Sequence, residues 1–260
     1  MTDPDNLTLD NIGRRDFILY QQKDGFRFGT DSVLLAWFAA SFARKDKGGA
    51  YRSTSFLELG SGCGGAAMCV AARLPDCTID CCEIMDVPCD VLRLNISANG
   101  VEDRVRAFNC DIRSFPGEIK QRQYDVVFSN PPFFNAQNNV RTDPAKSSGE
   151  KLAGRFEENG GLEDFLRASK SRVIPSTGHI IMVMKADRLT EVMSLMDNMN
   201  ISPTRLLPVH PKQGREASSI LIAGRVGNNR SKIRILPPLF LDDADRMNGI
   251  YEGEHKDCFI

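Results

Sequence analysis

The feature that most constrains the fold is a regular alternation of strand and helix patterns that begins near residue 55. Short apolar segments typical of buried strands occur at 55–59, 78–84, 105–110, 124–129, 179–184, 206–209 and 219–223. Helical spacing of apolar residues falls between several of them, at 66–74, 87–99, 161–173 and 189–199. This alternation predicts an α/β fold with a doubly wound seven-stranded sheet, mostly parallel. Because no helix separates the last two strands, we expect them to pair antiparallel.

The same alternation suggests three parts of the chain. Residues 1–50 are predicted to be an entry segment that packs on the core, with one helix near 33–42 that Thr30, Asp31 or Ser32 would cap. Residues 51–240 would form the α/β domain, and residues 241–260 an acidic tail. The sequence contains no signal-peptide pattern and no apolar run of membrane-spanning length, so we expect a cytoplasmic protein without a membrane partner.

Cysteine and histidine usage argues against a metal site. The chain has eight cysteines, and seven of them lie within residues 63–110. They do not form two CxxC pairs, and the whole chain has only three histidines. We therefore interpret the cysteines as reduced thiols used as small buried side chains, and we expect no metal.

A glycine-rich turn follows the first strand of the alternation. Residues 58–64 read Glu-Leu-Gly-Ser-Gly-Cys-Gly and precede a helix, and Glu83 ends the second strand. Glycines allow a ligand to approach the backbone closely, and a carboxylate at Glu83 would accept hydrogen bonds from both hydroxyls of a ribose. The third glycine comes one residue too early for a dinucleotide motif, which favours a nucleoside cofactor without a pyrophosphate. Asp111 is a candidate contact for an adenine amino group, or the cap of a helix over 113–120.

A second motif, Asn130-Pro131-Pro132-Phe133, directly follows the fourth strand. The prolines stiffen the segment and leave its carbonyls outside any strand ladder. The Asn130 side-chain oxygen and the Pro131 carbonyl would accept both hydrogens of a planar –NH2 group, and Phe133 offers a ring on which the planar target would stack. These contacts would orient the amine nitrogen for in-line attack, and no strong general base would be needed.

Together these motifs resemble those of class I S-adenosylmethionine-dependent methyltransferases. The resemblance narrows to the bacterial valine-tRNA adenine-N6 methyltransferase family because of the Gly29-Thr30-Asp31 entry and the late Pro-Lys-x-Gly-Arg segment at 211–215, and it covers roughly residues 12–240. It implies a Rossmann-like fold, S-adenosylmethionine as cofactor and a tRNA substrate. The expected cofactor-binding residues are Thr30, Glu58, Gly60, Gly62, Gly64, Glu83, Asp111 and Asn130. The expected catalytic residues are Asn130, Pro131, Pro132 and Phe133.

The charge distribution is compatible with RNA. Lys and Arg total 33 against 34 Asp and Glu, so the chain is not a general polyanion binder. Positive charge gathers at 200–235 and in the polar stretch 134–160. If these regions converge near Asn130, they would form a phosphate-binding rim. The candidate RNA-binding residues are Arg141, Lys146, Arg155, Lys212 and Arg215.

Other functions remain open at this point. The Asn-Pro-Pro-aromatic motif is shared with methyltransferases of ribosomal-RNA guanine and of protein glutamine. The fifty residues before the first strand leave little room for the N-terminal helical domain usual in the glutamine enzymes. A non-catalytic RNA-binding module would not need the motif, and a nicotinamide oxidoreductase would need a different glycine spacing. The oligomeric state stays undetermined.

Overall fold

The computed structural model describes residues 6–25, 27–45, 52–132, 160–227 and 232–252. Its strands, in chain order, are β1 (Leu7–Asn11), β2 (Ile18–Gln22), β3 (Ser55–Leu59), β4 (Thr78–Glu83), β5 (Val105–Asn109), β6 (Val126–Ser129), β7 (His179–Lys185), β8 (Ile201–His210), β9 (Ser219–Val226), β10 (Arg234–Ile235) and β11 (Leu239–Phe240). Its α-helices are α1 (Thr30–Ala40), α2 (Gly65–Arg73), α3 (Asp86–Ala98), α4 (Gly117–Lys120), α5 (Leu162–Arg172), α6 (Leu189–Asn198) and α7 (Ala244–Glu252).

The main sheet has the strand order β10-β8-β9-β7-β6-β3-β4-β5, with β11 also paired to β8. Strand β9 lies between β7 and β8 and runs antiparallel to both, whereas the other pairs are parallel. The prediction of a mostly parallel, doubly wound sheet with an antiparallel last strand is therefore confirmed. All seven predicted strands are present. The two-residue strands β10 and β11 bring the total to nine, and segments this short carry no periodic signal.

Two local expectations were wrong for identifiable reasons. The helix expected over 113–120 is confined to Gly117–Lys120, because Pro116 lacks an amide hydrogen and biases the preceding residue towards an extended conformation. The residues expected to cap the helix near 33–42 lie in its first turn instead. Helix α1 begins at Thr30, and its N-cap residue is Gly29, which makes no side-chain cap.

Helices cover both faces of the sheet. On one face, α1, α2 and α7 pack with the apolar side chains of the strands, and Phe38, Met68 and Phe128 are fully buried there. On the opposite face, α5 and α6 form the second apolar cluster with side chains such as Leu57 and Leu166. This arrangement leaves the ends of the strands as the exposed parts of the sheet, where ligands bind in doubly wound folds.

The N-terminal segment attaches to the core through asparagine side chains. Strands β1 and β2 form an antiparallel hairpin. The amides of Ile18 and Tyr20 on β2 donate to Asn99 Oδ1 at 2.9 Å and Asn95 Oδ1 at 2.7 Å, and both asparagines donate back to β2 carbonyls. The side chains on α3 thus act as a substitute for a neighbouring strand. The division of the chain at residue 50 stays a prediction.

The first part of the acidic tail folds onto the core. In α7, Met247 and Ile250 are buried beside α1, and Arg73 Nη2 donates to the Ile250 carbonyl at 2.5 Å. The Arg246 guanidinium lies over the Trp37 ring at 5.7 Å. Residues 244–252 therefore cover α1, whereas the expectation for the last eight residues falls outside the described part of the chain.

The described cysteines are free thiols, and Cys69, Cys77, Cys81, Cys82 and Cys89 are buried. Burial raises the pKa of Cys69 to about 11, as expected for an unreactive core thiol. In the described ranges, no cluster of three or more His, Cys, Asp or Glu side chains is arranged to hold a metal ion. Nor do those ranges contain a helix with the length and apolar character needed to cross a membrane.

Candidate active site

The predicted cofactor and substrate residues meet at one edge of the sheet. Leu59 at the end of β3 is the register partner of both Cys82 on β4 and Ser129 on β6. The next residue on each strand is therefore at the same level, and these residues are Gly60, Glu83 and Asn130. The chain reverses its direction of sheet growth between β3 and β6, so this edge is the topological switch point at which doubly wound folds bind ligands.

The glycine turn between β3 and α2 uses the left-handed backbone region three times. Gly60, Gly62 and Gly64 have φ values of +69°, +55° and +85°. A Cβ at Gly64 would lie 2.3 Å from Leu92 Cδ1, so this glycine is required for packing against α3. A Cβ at Gly62 would meet no atom within 4 Å, so this position borders open space. The turn thus has one glycine against the core and one facing a free volume.

Glu83 is fixed beneath this turn. Its Oε2 accepts from the Gly62 amide at 2.7 Å and its Oε1 accepts from the Met85 amide at 2.9 Å. The side chain is buried, and burial raises its pKa while the backbone amides oppose the shift. Each carboxylate oxygen retains a lone pair after these bonds, so Glu83 is preoriented and can still accept from a ligand hydroxyl.

Glu58 lies behind the turn. Its Oε2 accepts from the Ala67 amide in the first turn of α2 at 3.1 Å. Only 4% of the residue is exposed, and burial, with a smaller contribution from the charge of Glu83, raises its pKa well above the ordinary value. This contact ties α2 to β3. A direct contact between Glu58 and the cofactor remains a prediction.

Asn130 carries a buried acceptor without a partner. Its Oδ1 is inaccessible to solvent and accepts no hydrogen bond from the part of the chain that the structure describes. Pro131 after it is buried and Pro132 is half-buried. A buried amide oxygen without a donor costs about 1–3 kcal/mol. Such a group at the switch point can accept a hydrogen bond from a ligand that brings a donor.

The start of α1 lies at the same carboxyl edge of the sheet. Thr30 begins the helix, and Asp31 Oδ1 accepts from Ser219 Oγ at 3.3 Å while Asp31 Oδ2 lies 3.7 Å from Lys185 Nζ. Lys185 ends β7 and Ser219 begins the antiparallel β9, so both lie at the carboxyl edge. Thr30 is therefore at the same end of the sheet as the glycine turn.

The segment before α1 also touches the turn. Phe28 packs so closely on Gly65 that a Cβ there would lie 2.5 Å from Phe28 Cδ2. The buried Gln21 side chain accepts from the Phe28 amide at 2.6 Å. The entry segment is thus fixed over the turn by a hydrogen bond that the sequence pattern did not reveal.

Asp111 follows β5 and is engaged by a neighbouring arginine. Both of its oxygens accept from the Arg113 guanidinium, at distances from 2.6 to 3.0 Å, and its Oδ1 also accepts from the Arg113 amide at 2.8 Å. These bonds lower its pKa and keep it ionised. Asp111 is only partly buried, and its contact with a cofactor adenine stays a prediction.

The substrate side is described in part. Phe133, Arg141, Lys146 and Arg155 lie outside the described residues. Lys212 and Arg215 are exposed in the connection from β8 to β9, where His210 Nδ1 donates to the Arg215 carbonyl at 2.7 Å. Because β8 is parallel to β7, this connection lies at the carboxyl edge together with Asn130.

One contact of the Asn-Pro-Pro segment was missed by sequence reasoning. Arg188 Nη1 donates to the Pro132 carbonyl at 3.5 Å, and the same guanidinium forms a bidentate pair with Glu191 at 2.7 Å. Arg188 lies in the short 3-10 turn after β7. An Arg–Glu pair spaced three residues apart is common on any helix, so no sequence signal distinguished it.

The residues present fit S-adenosylmethionine. The open volume at Gly62 provides space, and Glu83 provides a preoriented acceptor for a hydroxyl donor. The absence of the dinucleotide glycine spacing agrees with a cofactor that lacks a pyrophosphate. The unpaired Asn130 Oδ1 can accept from an N–H or an O–H group, so its contacts with the amine and with the cofactor both stay predictions.

Comparison with known structures defines the class. The fold is similar to a predicted O-methyltransferase from Agrobacterium tumefaciens, with a TM-score of 0.62 at 15% identity over 85% of this chain and 95% of that chain. It is also similar to TYW2 of P. horikoshii in complex with MeSAdo, with a TM-score of 0.56 at 14% identity over 86% of this chain and 72% of that chain. The chain therefore has the class I methyltransferase fold.

Sequence comparison narrows the class. Residues 47–163 match the family model "Methyltransferase small domain", which spans both motifs. The chain is 27% identical over 221 residues to the tRNA1(Val) (adenine(37)-N6)-methyltransferase of Aeromonas hydrophila, covering 84% of each. It is 26% identical over 218 residues to the protein of that name in Porphyromonas gingivalis, covering 83% of this chain and 80% of the relative. The prediction of an S-adenosylmethionine-dependent methyltransferase similar to this family is confirmed.

Proposed function

We propose that the protein transfers a methyl group from S-adenosylmethionine to the N6 amino group of an adenine in tRNA, of the valine-tRNA anticodon-loop type. The observation that carries the proposal is the buried, unpaired Asn130 Oδ1 at the switch point, one strand from the glycine turn. Relatives named for this reaction support the choice of substrate. A tRNA substrate is consistent with a cytoplasmic enzyme.

Asn130 and Pro131 would hold the target amine. The Asn130 Oδ1 would accept one amine hydrogen and the Pro131 carbonyl the other, which turns the nitrogen lone pair away from the adenine ring. We propose that Phe133 stacks on the base. When bound, S-adenosylmethionine would supply an electrophilic methyl group for an N–C bond, and the electron pair of the broken methyl–sulfur bond would stay on sulfur. The methylated nitrogen then loses one proton to solvent, so no strong base is required.

The remaining site residues would position the two reactants. Glu83 would accept from the ribose hydroxyls, and Thr30, Gly60, Gly62 and Gly64 would line the cofactor. Glu58 would hold α2 in place behind the cofactor, and Asp111 would contact the adenine of the cofactor. Arg188 would steady the Pro132 carbonyl and is a positioning residue. Lys212 and Arg215, with Arg141, Lys146 and Arg155, would contact RNA phosphates.

The test is methyl transfer from tritiated S-adenosylmethionine to separate pools of tRNA, ribosomal RNA and protein, followed by nucleoside analysis. We expect label in tRNA as N6-methyladenosine. Label in ribosomal-RNA guanine or in protein glutamine would support the related activities that share the Asn-Pro-Pro-aromatic motif. RNA binding without transfer to any pool would support a non-catalytic RNA-binding module and refute the proposal.

A further inference from the structure

Three arginines form a cluster at the amino edge of the sheet, opposite the candidate active site. Arg205 on β8 and Arg234 on β10 are register partners, so their side chains share one face of the sheet. Arg205 is also the partner of Ala223 on β9, two residues before Arg225. Burial and the charges of Arg234 and Arg225 lower the pKa of Arg205, which places the three guanidinium groups within electrostatic reach.

An aromatic floor supports these arginines. The Arg205 guanidinium lies 4.5 Å from the centre of the Phe42 ring, and Phe42 lies 4.5 Å from the His179 ring. Arg225 Nη2 donates to His179 Nε2 at 2.9 Å. Burial lowers the pKa of His179 to about 3, so the ring is neutral and accepts from the arginine. Planar contacts of this kind orient guanidinium groups without neutralising them.

The cluster has no carboxylate of its own. In the described ranges, none of the three arginines forms an ion pair with Asp or Glu. Asp125 lies at this edge, but it accepts from Ser55 and pairs with Arg44 at 3.5 Å. The sequence from 217 to 235 contains no acidic residue. Because Arg205 and Arg225 are half-buried, their unbalanced charge has a free-energy cost that a bound anion would offset.

We propose that Arg205, Arg225 and Arg234 bind the sugar–phosphate backbone of the RNA substrate, outside the catalytic edge. This inference rests on the proposed function, because it assigns the anion to the same RNA. Seven residues of β7 separate the two edges, which is about 20 Å at 3.3 Å per residue. A helical stem carries phosphates continuously over such a distance, and arginine forks match phosphate geometry. The RNA would therefore extend along the β8–β9 side while its target base enters at Asn130.

The test measures binding of an unmodified valine-tRNA transcript by the full chain across a salt series. The double variant Arg225→Gln/Arg234→Gln removes two charges from the cluster. The control Arg93→Gln/Arg167→Gln removes two exposed charges from α3 and α5, which lie elsewhere. Each lost phosphate contact reduces the slope of log K against log salt by about one. We expect the slope of the cluster variant to fall by about two and its Kd to rise about tenfold or more, with the control unchanged.

The exposed Arg234 gives a second variant that should not disturb folding. Arg234→Gln alone should lower the slope by about one. A slope equal to that of the unmodified protein in both cluster variants would overturn the inference, and this includes the case in which the cluster binds an acidic protein surface. Methyl transfer by the unmodified protein is recorded in the same samples. Absence of transfer by the unmodified protein, together with a reduced salt slope in both cluster variants, would refute the proposed function and leave the cluster supported, so the two failures are distinguishable.

Discussion

The replacement Asn130→Ala separates the stability of the protein from its activity. In most proteins, truncating a polar side chain that is partly buried lowers the free energy of unfolding. Here the Oδ1 acceptor is buried and has no donor within the described part of the chain, so the folded protein already carries its desolvation cost. That cost is about 1–3 kcal/mol, and alanine removes it.

The expected size follows from two opposing effects. Alanine relieves the unpaired acceptor but loses the packing of a small, half-buried amide, which costs about 1 kcal/mol or less. The free energy of unfolding should therefore stay constant or rise by up to about 2 kcal/mol. For a chain of this size, each kcal/mol corresponds to roughly 2–4 °C in Tm. Methyl transfer should fall at least about a hundredfold, because the amine loses the acceptor that orients it.

The assay combines guanidinium unfolding without ligand, calorimetry with S-adenosylmethionine, and methyl transfer to tRNA. Ser129→Ala is the matched control, since Ser129 Oγ is likewise buried without a partner, one residue earlier on β6. It should share the neutral or stabilising effect and retain activity. A loss of more than about 1 kcal/mol in Asn130→Ala would mean that the side chain has a partner in the free protein. Retained turnover would refute its proposed role in holding the amine.

Three further predictions concern the cofactor turn and the amino edge. Glu83→Ala should raise the Kd for S-adenosylmethionine by about a hundredfold in calorimetry, because two charge-assisted hydrogen bonds to the ribose are lost. An unchanged Kd would contradict the ribose contact. Gly62→Ala should lower the free energy of unfolding by only about 1 kcal/mol, because of the left-handed backbone, yet abolish S-adenosylmethionine binding. Gly64→Ala should lower the free energy of unfolding by about 2–5 kcal/mol, because its Cβ would overlap Leu92. Denaturant curves would measure both losses. His179 has a lowered pKa of about 3, so its stabilising contribution is present above pH 6.5 and is lost on acidification; His179→Gln should remove about 2 kcal/mol of the stability change between pH 7 and pH 5.

The candidate active site was predictable because its residues occupy positions that the chain pattern defines. A strand followed by a glycine turn places Gly60 at a carboxyl end, and the next parallel strand places Glu83 beside it. The structure then places Asn130 at the level of Gly60 through the β3–β6 register, a pairing that the sequence pattern did not specify. Nothing in that reasoning required knowledge of individual side-chain contacts, so modest errors in strand boundaries did not displace the site.

The contacts that the sequence did not reveal depend on side chains from distant segments. Asn95 and Asn99 hold the β1–β2 hairpin by bonding its backbone, although asparagine on a helix ordinarily indicates only a solvated face. In the tail, acidic residues around 242–245 obscured the short apolar pattern of Met247 and Ile250. Each of these associations is set by tertiary packing, which a local pattern does not encode.

The length of β8 determines which basic residues of the segment 200–235 lie near each edge of the sheet. The prediction limited β8 to 206–209, and on that basis its flanking arginines and lysines were free to converge near Asn130. The observed strand runs from Ile201 to His210, so Arg205 is inside it and Lys212 lies beyond its end. The part of the strand from Arg205 to His210 spans five residue steps, which is about 17 Å. One stretch of sequence thus contributes positive charge to both edges of the sheet, which is the geometry expected for an RNA bound along the strands rather than only at their carboxyl ends.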